Sequence, residues 1–369
     1  TASNNTAIGV SSLRANTTGH SGVAVGALAL DANTTGEENT AVGKNVLGAN
    51  TTASYNTSMG SSSMLVNTTG ANNVALGVNA LKSNTTASNN TGIGFGALVA
   101  NTTGTSNTAV GAYALDANTT GDTNTALGQN ALGANTTGNG NVAIGYQALI
   151  KNTTANYNVA IGENSQFAHL TGTNNVAVGA YSLDANESSS NNTAIGDSSL
   201  TSSTAGQNTA LGYASLTNLT TGTYNIGIGY NANSSAVDSS GQCTLGDGQI
   251  SNLRCNDTSI SSLSDSRDKT DVINSPYGLE FINTVRPVQF KWETRDGNVK
   301  DGSTRIGFLA QELLSATDGN NAILDLVHDD NPDKLEAKYG NLLPILVKAI
   351  QELSAQNAEL TTRITTLEG

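Results

Sequence analysis

The chain has few charged residues, few aromatic residues and almost no cysteine. Of its 369 residues, 12% are charged and 4% are aromatic. The two cysteines, Cys243 and Cys255, are too few for a disulfide framework or for a cysteine-based metal site. A single bridge, within one chain or between chains, stays open as an alternative. We expect no metal and no cofactor.

Long apolar runs and basic stripes are also missing. Without a run of about 18 apolar residues, no membrane-spanning helix and no membrane insertion are predicted. The net charge is -13, which disfavours nucleic acid as a partner because no basic stripe can replace the counterions of phosphates. Residues 1–246 carry only four basic and ten acidic side chains, against twelve and nineteen in the rest. This shift indicates a domain boundary near residues 246–264.

What the first part of the chain does contain is a repeat of 17 residues, marked by one glycine per unit. After Gly196 one step is 16 residues, to Gly212, and the 17-residue step then returns. Such a strict period argues against disorder and predicts a repeat architecture in which units stack. The marker glycines are Gly9, Gly26, Gly43, Gly60, Gly77, Gly94, Gly111, Gly128, Gly145, Gly162, Gly179, Gly196, Gly212, Gly229 and Gly246.

Each unit keeps fixed chemistry around its glycine. The preceding residue is large and apolar, as in Ile8 and Val25, and the residue three before is mostly β-branched, with a small residue between them. This alternation predicts a short strand whose two faces, both uncharged, are both buried. Four residues after the glycine stands Leu or Met, and seven after it stands Asn, usually opening "N-T-T-G". That string is typical of a turn, rather than of a glycosylation site.

The repeat therefore predicts strand, bend, strand and turn in every coil, stacked into a mainly β shaft. Because the interior residues are small, we expect several chains to pack together, with the Ala and Val/Ile positions touching across an axis. A second Asn recurs four residues before the glycine, as in Asn39 and Asn56, and stacked Asn side chains form hydrogen-bond ladders. The pattern resembles the head repeats of trimeric autotransporter adhesins and similar repeats of phage tail fibres. That resemblance implies a trimeric parallel β-roll or β-helix.

From residue 264 the composition becomes that of a small α+β domain. Residues 277–285 read as a helix and residues 286–292 as a strand, followed by a turn of sequence "D-G-N-V-K-D-G". The last segment carries an a/d heptad seam with one polar position, Asn357, which predicts a coiled coil. Ile at a with Leu at d favours two strands, but the shaft argues for three. The seam consists of Leu343, Leu346, Ile350, Leu353, Asn357, Leu360, Ile364 and Leu367.

Residues 264–369 resemble the intramolecular chaperone domain of phage tail spikes and endosialidases, a peptidase family of Ser–Lys type. The shared strings are "S-D-x-R-x-K", "P-V-x-F-x-W" and "G-F-x-A-Q-E", followed by the closing helix. Asp268 stands where Leu is commoner. The resemblance implies a chaperone domain over 264–340 and a trimeric coiled-coil helix over 341–369, after the 1–246 shaft and a 247–263 linker leading to the cleavage site.

The same resemblance implies one self-cleavage, at the bond between Leu263 and Ser264. Ser264 is then the nucleophile and Lys269 the base or proton shuttle, while Asp265 and Arg267 orient the loop. This chemistry needs a Lys whose pKa is lowered by burial, which leaves a neutral amine beside the hydroxyl. An acid next to Lys269 would work against that. A plain polar linker is the alternative interpretation of the motif.

Other candidates are weaker. His20, His169 and His328 show no partner spacing, so no catalytic or ligand role is predicted for them. Aromatic residues recur just after the repeat glycine and could stack on the sugar rings of a receptor, although a surface or packing role is the simpler interpretation. They are Phe95, Tyr113, Tyr146, Tyr181, Tyr213 and Tyr230.

The leading functional hypothesis is a homotrimeric phage tail fibre with a self-removing chaperone. It would reside in the virion, contact other tail proteins and bind a host surface glycan or other receptor. Its chaperone would be made in the host cytoplasm and released after assembly. A bacterial trimeric surface adhesin and the non-catalytic stem of a polysaccharide-degrading tail spike are the alternatives. Because near-identical coils slip in register at little cost, the C-terminal clamp and the 16-residue step are expected to fix the register.

Overall fold

A computed structural model describes residues 2–250, 264–291, 304–333 and 335–369. The chain divides into two compact units, Thr1–Asp247 and Gly248–Gly369. The predicted turn at residues 296–302, and with it Cys255, Leu263 and Trp292, lies outside the described residues.

The first unit is a parallel β-solenoid. Its strands form one sheet in which each strand pairs with the next along the chain, and the partners are one repeat apart, as in Ala24 with Ala41. The predicted mainly β shaft is therefore confirmed, but each coil holds one strand rather than the two that were expected. The strands are β1 Thr6–Ile8, β2 Val23–Val25, β3 Thr40–Val42, β4 Thr57–Met59, β5 Val74–Leu76, β6 Thr91–Ile93, β7 Thr108–Val110, β8 Thr125–Leu127, β9 Val142–Ile144, β10 Val159–Ile161, β11 Val176–Val178, β12 Thr193–Ile195, β13 Thr209–Leu211, β14 Ile226–Ile228 and β15 Cys243–Leu245.

The two faces of these strands differ, which corrects one expectation. The central Ala points into the coil and is fully buried, as at Ala24, Ala75 and Ala143. The larger residues on either side point outward and are half-buried or exposed, as at Val142 and Ile144. The prediction that both faces are buried is wrong for a single chain, and so is the idea that the Ala positions touch across an axis. Of the strand residues, those in the outward columns are the ones that a partner can reach.

A column of leucines fills the inside of the shaft. Leu30, Leu47 and Leu81 are fully buried, yet each has a positive φ near 50°, a left-handed conformation that costs a branched residue about 1–3 kcal/mol. Burying one such side chain contributes about 1.5–3 kcal/mol. Hydrophobic burial therefore offsets the strain that the tight bend imposes in every coil.

The repeat glycines are required both by backbone conformation and by packing. Gly26 has φ +136°, and a Cβ there would lie 2.3 Å from the carbonyl oxygen of Gly43 in the next coil. Any side chain at this position would force neighbouring coils apart, so the backbones of successive coils can approach this closely only at a glycine.

Two ladders of asparagine side chains run along the shaft, as expected. In the first ladder the Asn50 amide donates to Asn33 Oδ1 at 2.8 Å and also to the carbonyl of Ala53 three residues on, which holds the turn. In the second, the Asn56 backbone N–H donates to Asn39 Oδ1 at 3.0 Å. Because these groups are buried, each amide replaces hydrogen bonds that water would otherwise supply. Asparagine side chains thus hold the turns and also link neighbouring coils.

The single 16-residue step is absorbed in a turn. The residue is missing between Leu200 and Asn208, whereas the next strand still pairs in step, Thr193 with Thr209 and Ile195 with Leu211. The outward face therefore continues without interruption. Its role in fixing the register between chains stays a prediction.

The coil after Gly162 breaks both internal columns with buried polar side chains. At the Leu position stands Gln166 and at the first Asn position stands His169, and both are fully buried. The apolar core is split here, since one cluster ends at Ala160 and the next begins at Ala177. Across the described ranges, the buried side-chain atoms without a hydrogen-bond partner all fall in this coil or the next: Asn164 Oδ1, Ser165 Oγ, Gln166 Oε1, His169 Nδ1 and Asp184 Oδ1.

The second unit has a small core built from short elements. β16 Val288–Lys291 pairs antiparallel with β17 Thr304–Gly307, and β18 Val327–His328 with β19 Glu336–Ala337. The helices are α1 Leu279–Ile282, α2 Ala310–Ala316, α3 Asn321–Leu324 and α4 Leu342–Glu368. The α+β class is confirmed, although the helix predicted over 277–285 is shorter because Gly278 precedes it without a side-chain cap. The core comprises Phe281, Leu313, Leu324, Leu326, Val327, Leu342 and Ile345.

Helix α4 presents two different faces. Leu342, Ile345 and Ala349 are buried, whereas the apolar residues of the predicted heptad seam, such as Ile350 and Leu360, are exposed in the single chain. Such a seam is buried when helices pair. The helix predicted at the end of the chain is present, and its pairing with other copies stays a prediction.

Replacing Gln166 with Leu should stabilise the shaft. The substitution makes the column of buried leucines continuous from Leu149 to Leu183. It also removes a buried acceptor that has no partner, which changes the free energy of unfolding by about 1–3 kcal/mol. Thermal unfolding followed by circular dichroism should show a higher midpoint. The reverse change in a regular coil, Leu132→Gln, should lower it. A midpoint for Gln166→Leu at or below that of the wild type would contradict the prediction.

Shaft stability should fall as the pH drops below 6.5. Burial lowers the pKa of His169 below its ordinary value of 6.5, against the smaller opposing effect of the Gly172 and Asn186 carbonyls. The unfolded chain therefore binds more protons below 6.5, which favours unfolding. Burial raises the pKa of Asp184 above 3.8, so this carboxyl has the opposite sign and favours the folded shaft as the pH falls. The unfolding midpoint of the His169→Asn variant should depend less on pH between 6.5 and 5 than that of the wild type. An unchanged pH dependence would refute the assignment.

Candidate active site

A short 3-10 turn shapes the beginning of the second unit. It spans Ser266–Asp268, and the Asp265 side chain caps it by accepting the Arg267 backbone N–H at 2.9 Å. The backbone N–H of Lys269 donates to the Ser266 carbonyl and ends the turn. Asp is a preferred capping residue because its carboxylate satisfies a free N–H. The turn reverses the chain, so that the residues on either side of it lie close together.

The turn brings Ser264 and Lys269 into contact. Lys269 Nζ donates to Ser264 Oγ at 2.5 Å. A hydroxyl and an amine at this distance are positioned for proton transfer, provided that the amine is neutral. Of the predicted site residues, these two are the pair with a direct contact that could carry chemistry.

Asp265 and Arg267 pair with each other rather than with the dyad. Arg267 donates from Nε to Asp265 Oδ1 at 3.0 Å and from Nη2 to Oδ2 at 2.6 Å. This side-chain pairing, followed by the backbone N–H of Arg267, lowers the pKa of Asp265, and it raises that of Arg267. The pair thus holds the turn, and Arg267 partners the Asp265 carboxylate. Within residues 264–291, Asp268 likewise forms no ion pair with Lys269.

The dyad is open to solvent in the single chain. Residues 264–276 are all exposed, and the two apolar side chains among them, Val272 and Ile273, are 77% and 83% exposed. An exposed lysine amine is charged at neutral pH, and only burial or a nearby positive charge favours the neutral form. In the single chain the Ser264–Lys269 contact is therefore formed, but the site is not shielded from water.

A carboxylate that the sequence analysis did not single out ties the segment after the dyad to α4. Glu352 Oε2 accepts the Leu279 backbone N–H at 2.7 Å, which is the orphan donor at the start of α1. This bond is the largest cause that lowers the pKa of Glu352, and Lys348 adds to it across 3.3 Å. Gly278 fits because a Cβ there would lie 2.3 Å from the same carboxylate. The sequence signal for this contact was Gly278, which precedes α1 and has no side chain to cap it.

The remaining candidates do not join the site. His20 lies 3.1 Å from Glu37 on the shaft surface, and His328 lies 3.5 Å from Asp330. Cys243 is exposed and not bridged. In the part of the chain that the structure describes, no three His, Cys, Asp or Glu side chains gather as metal ligands. None of the helices in that part is long and apolar enough to cross a membrane.

One family model matches this region. Residues 264–320 match the model of a peptidase family described as the chaperone of endosialidase. The match begins at Ser264, includes the dyad, and ends before α3. No curated protein and no solved structure matches the chain. The C-terminal region is thus similar to a self-cleaving chaperone domain, and it follows a β-solenoid shaft.

Proposed function

We propose that the chain is the structural and host-attachment fibre of a phage tail, whose C-terminal region assembles three copies and then cuts itself off before Ser264. The observation that carries the proposal is the Ser264–Lys269 contact at the first residues of the family match. A shaft joined to a self-removing chaperone fits a tail-spike-like protein. The virion and the host cell surface are the places where it would act.

Association of three copies would bury the apolar surfaces that a single copy leaves exposed. The outward columns of the shaft carry Val, Ile, Leu and Thr with no charge, and contiguous apolar surface of this kind marks an interface. The exposed heptad seam of α4 supplies a second self-complementary surface, and Asn357 in it would set register and strand number. Assembly in the cytoplasm of the host would align three shafts before they pack.

Cleavage would follow assembly because burial must come from other copies. Packing against Val272 and Ile273 would remove water from Lys269 and favour its neutral amine. Lys269 would then take the proton of Ser264 Oγ, which attacks the carbonyl carbon of Leu263. The C–N bond breaks and the proton passes to the leaving nitrogen. Water then hydrolyses the ester, which leaves the Leu263 carboxylate and a free Ser264 hydroxyl.

Ser264→Ala should abolish the appearance of fragments 1–263 and 264–369, because it removes the nucleophile. Lys269→Arg should do the same, since the guanidinium stays charged. Ser266→Ala, two residues away in the same turn, is the matched control and should cleave normally. Mass spectrometry of the purified protein locates the new termini. Cleavage before residue 264 in the Ser264→Ala protein would refute the assignment.

Charges on the outward columns should prevent assembly. Ile144→Glu with Ile161→Glu places two carboxylates on the proposed interface, where their desolvation is unfavourable. Thr137→Glu with Thr154→Glu adds the same charge on exposed turn positions of the shaft and serves as the control. Light scattering coupled to size exclusion should give three times the chain mass for wild type and control. A wild-type protein with the mass of one chain would refute the proposed trimer.

A further inference from the structure

A row of exposed aromatic side chains follows one edge of the shaft. Its members stand one or two residues after the repeat glycine, and their exposed fractions range from 42% for Tyr181 to 61% for Tyr230. We call this row the aromatic ridge. It consists of Phe95, Tyr113, Tyr146, Tyr181, Tyr213 and Tyr230.

Backbone hydrogen bonds hold the ridge in line. The Tyr113 N–H donates to the Phe95 carbonyl at 2.9 Å, and the Tyr181 N–H donates to that of Glu163 at 3.0 Å. Two pairs of rings in neighbouring coils touch, Phe95 with Tyr113 at 5.2 Å and Tyr213 with Tyr230 at 5.4 Å between centroids. The backbone positions of the ridge are therefore fixed by the stacking of the coils, although its members occupy two adjacent positions of the repeat.

The four central rings of the ridge, from Tyr113 to Tyr213, are spaced along the axis at a regular interval, and Phe95 and Tyr230 each lie one coil beyond them. Tyr146, Tyr181 and Tyr213 lie two coils apart from each other, which corresponds to about 10 Å because neighbouring parallel strands are about 4.8 Å apart. An extended polysaccharide can offer an apolar sugar face repeatedly along such a line. A globular partner has no reason to match this interval.

Polar side chains fill the gaps between the rings. Asn164 N–H donates to the Tyr146 carbonyl, so Glu163 and Asn164 lie between Tyr146 and Tyr181. Asp197 and Ser198 occupy the same positions in the coil before Tyr213. Aromatic rings that alternate with carboxylate, amide and hydroxyl groups suit sugars, which combine apolar C–H faces with hydroxyl donors and acceptors.

The charge of the ridge selects among glycans. From Phe95 to Tyr230 the two positions after each repeat glycine hold no Lys or Arg, and they hold two carboxylates, Glu163 and Asp197. A polyanionic chain would meet repulsion here with no compensating cation. We propose that the aromatic ridge binds a neutral, extended polysaccharide that runs along the shaft. This inference rests on the proposed host-attachment function and names its receptor class.

A second set of exposed tyrosines provides a matched control. Tyr55, Tyr157 and Tyr224 are 55% to 65% exposed but stand in another column, five residues before the repeat glycine, and are several coils apart. The Tyr157 ring covers Gly140 of the preceding coil, where a Cβ would lie 2.8 Å from it. These rings have the same chemistry and exposure without the regular short interval.

The test is affinity electrophoresis of the full-length protein in native gels that contain dextran, galactomannan or hydroxyethylcellulose, with polygalacturonate as the polyanion. At least one neutral polymer should retard the wild type. The ridge variant, with Tyr146, Tyr181 and Tyr213 all changed to Ala, should bind at least about tenfold more weakly because the contacts act together. The control variant, with Tyr55, Tyr157 and Tyr224 changed to Ala, should bind as the wild type does.

Three results would overturn the inference: no retardation by any neutral polymer, equal retardation of the ridge variant, or retardation by polygalacturonate alone. Cleavage before Ser264 and the mass of the assembled protein are measured on every variant, and both should match wild type. If they do while binding is absent, the ridge inference fails and the assembly proposal stands. If the wild type neither assembles nor cleaves, the proposed function fails instead.

Discussion

The shaft depends on one constraint: every coil must meet its neighbour at backbone contact distance. At the repeat glycine a Cβ would lie 2.3 Å from the next carbonyl oxygen, as between Gly26 and Gly43. This contact leaves no room for variation in coil length within the strand, so the one missing residue falls in the turn after Leu200. It also explains why a left-handed Leu is kept in nearly every coil. The strain is local, whereas the burial and the Asn ladders it permits extend through the stack.

In the strands of this thin coil the small central residue points inward and the larger residues point outward. Most strands bury an Ala and turn Val, Ile, Leu or Thr outward, so a single chain exposes much of its apolar surface to solvent. The second unit shows the same property, because α4 buries Leu342 and Ile345 but exposes its heptad seam. Each unit therefore has a buried core of its own and also exposes apolar side chains to solvent. That combination is expected of a chain whose final stability comes from association.

Much of the fold could be predicted from sequence because it repeats. The marker glycine recurs in every coil, and the Leu column and the Asn ladders recur in most coils, so chance matches are averaged out. Which strand face points inward could not be predicted, since neither face carries charge to distinguish it. The Ser264–Lys269 contact was implied by resemblance to a family, whereas the 3-10 turn that produces it depends on Asp265. Glu352 was missed because its partner, the N–H of Leu279, lies 73 residues away and bears no sequence signal.

The exposed dyad and the exposed apolar surfaces have the same physical meaning. A lysine in water stays charged and cannot act as a base, so contact with Ser264 alone does not make a protease. Burial is the missing condition, and under the proposed function association would supply it. The Ser264–Lys269 pair would then respond to assembly without any separate sensor. Removal of the C-terminal region would then depend on completion of the fibre, because only the completed fibre would remove water from the Lys269 amine. A cut before assembly would release chains whose coils are not in register, and it would be disfavoured as long as water surrounds that amine.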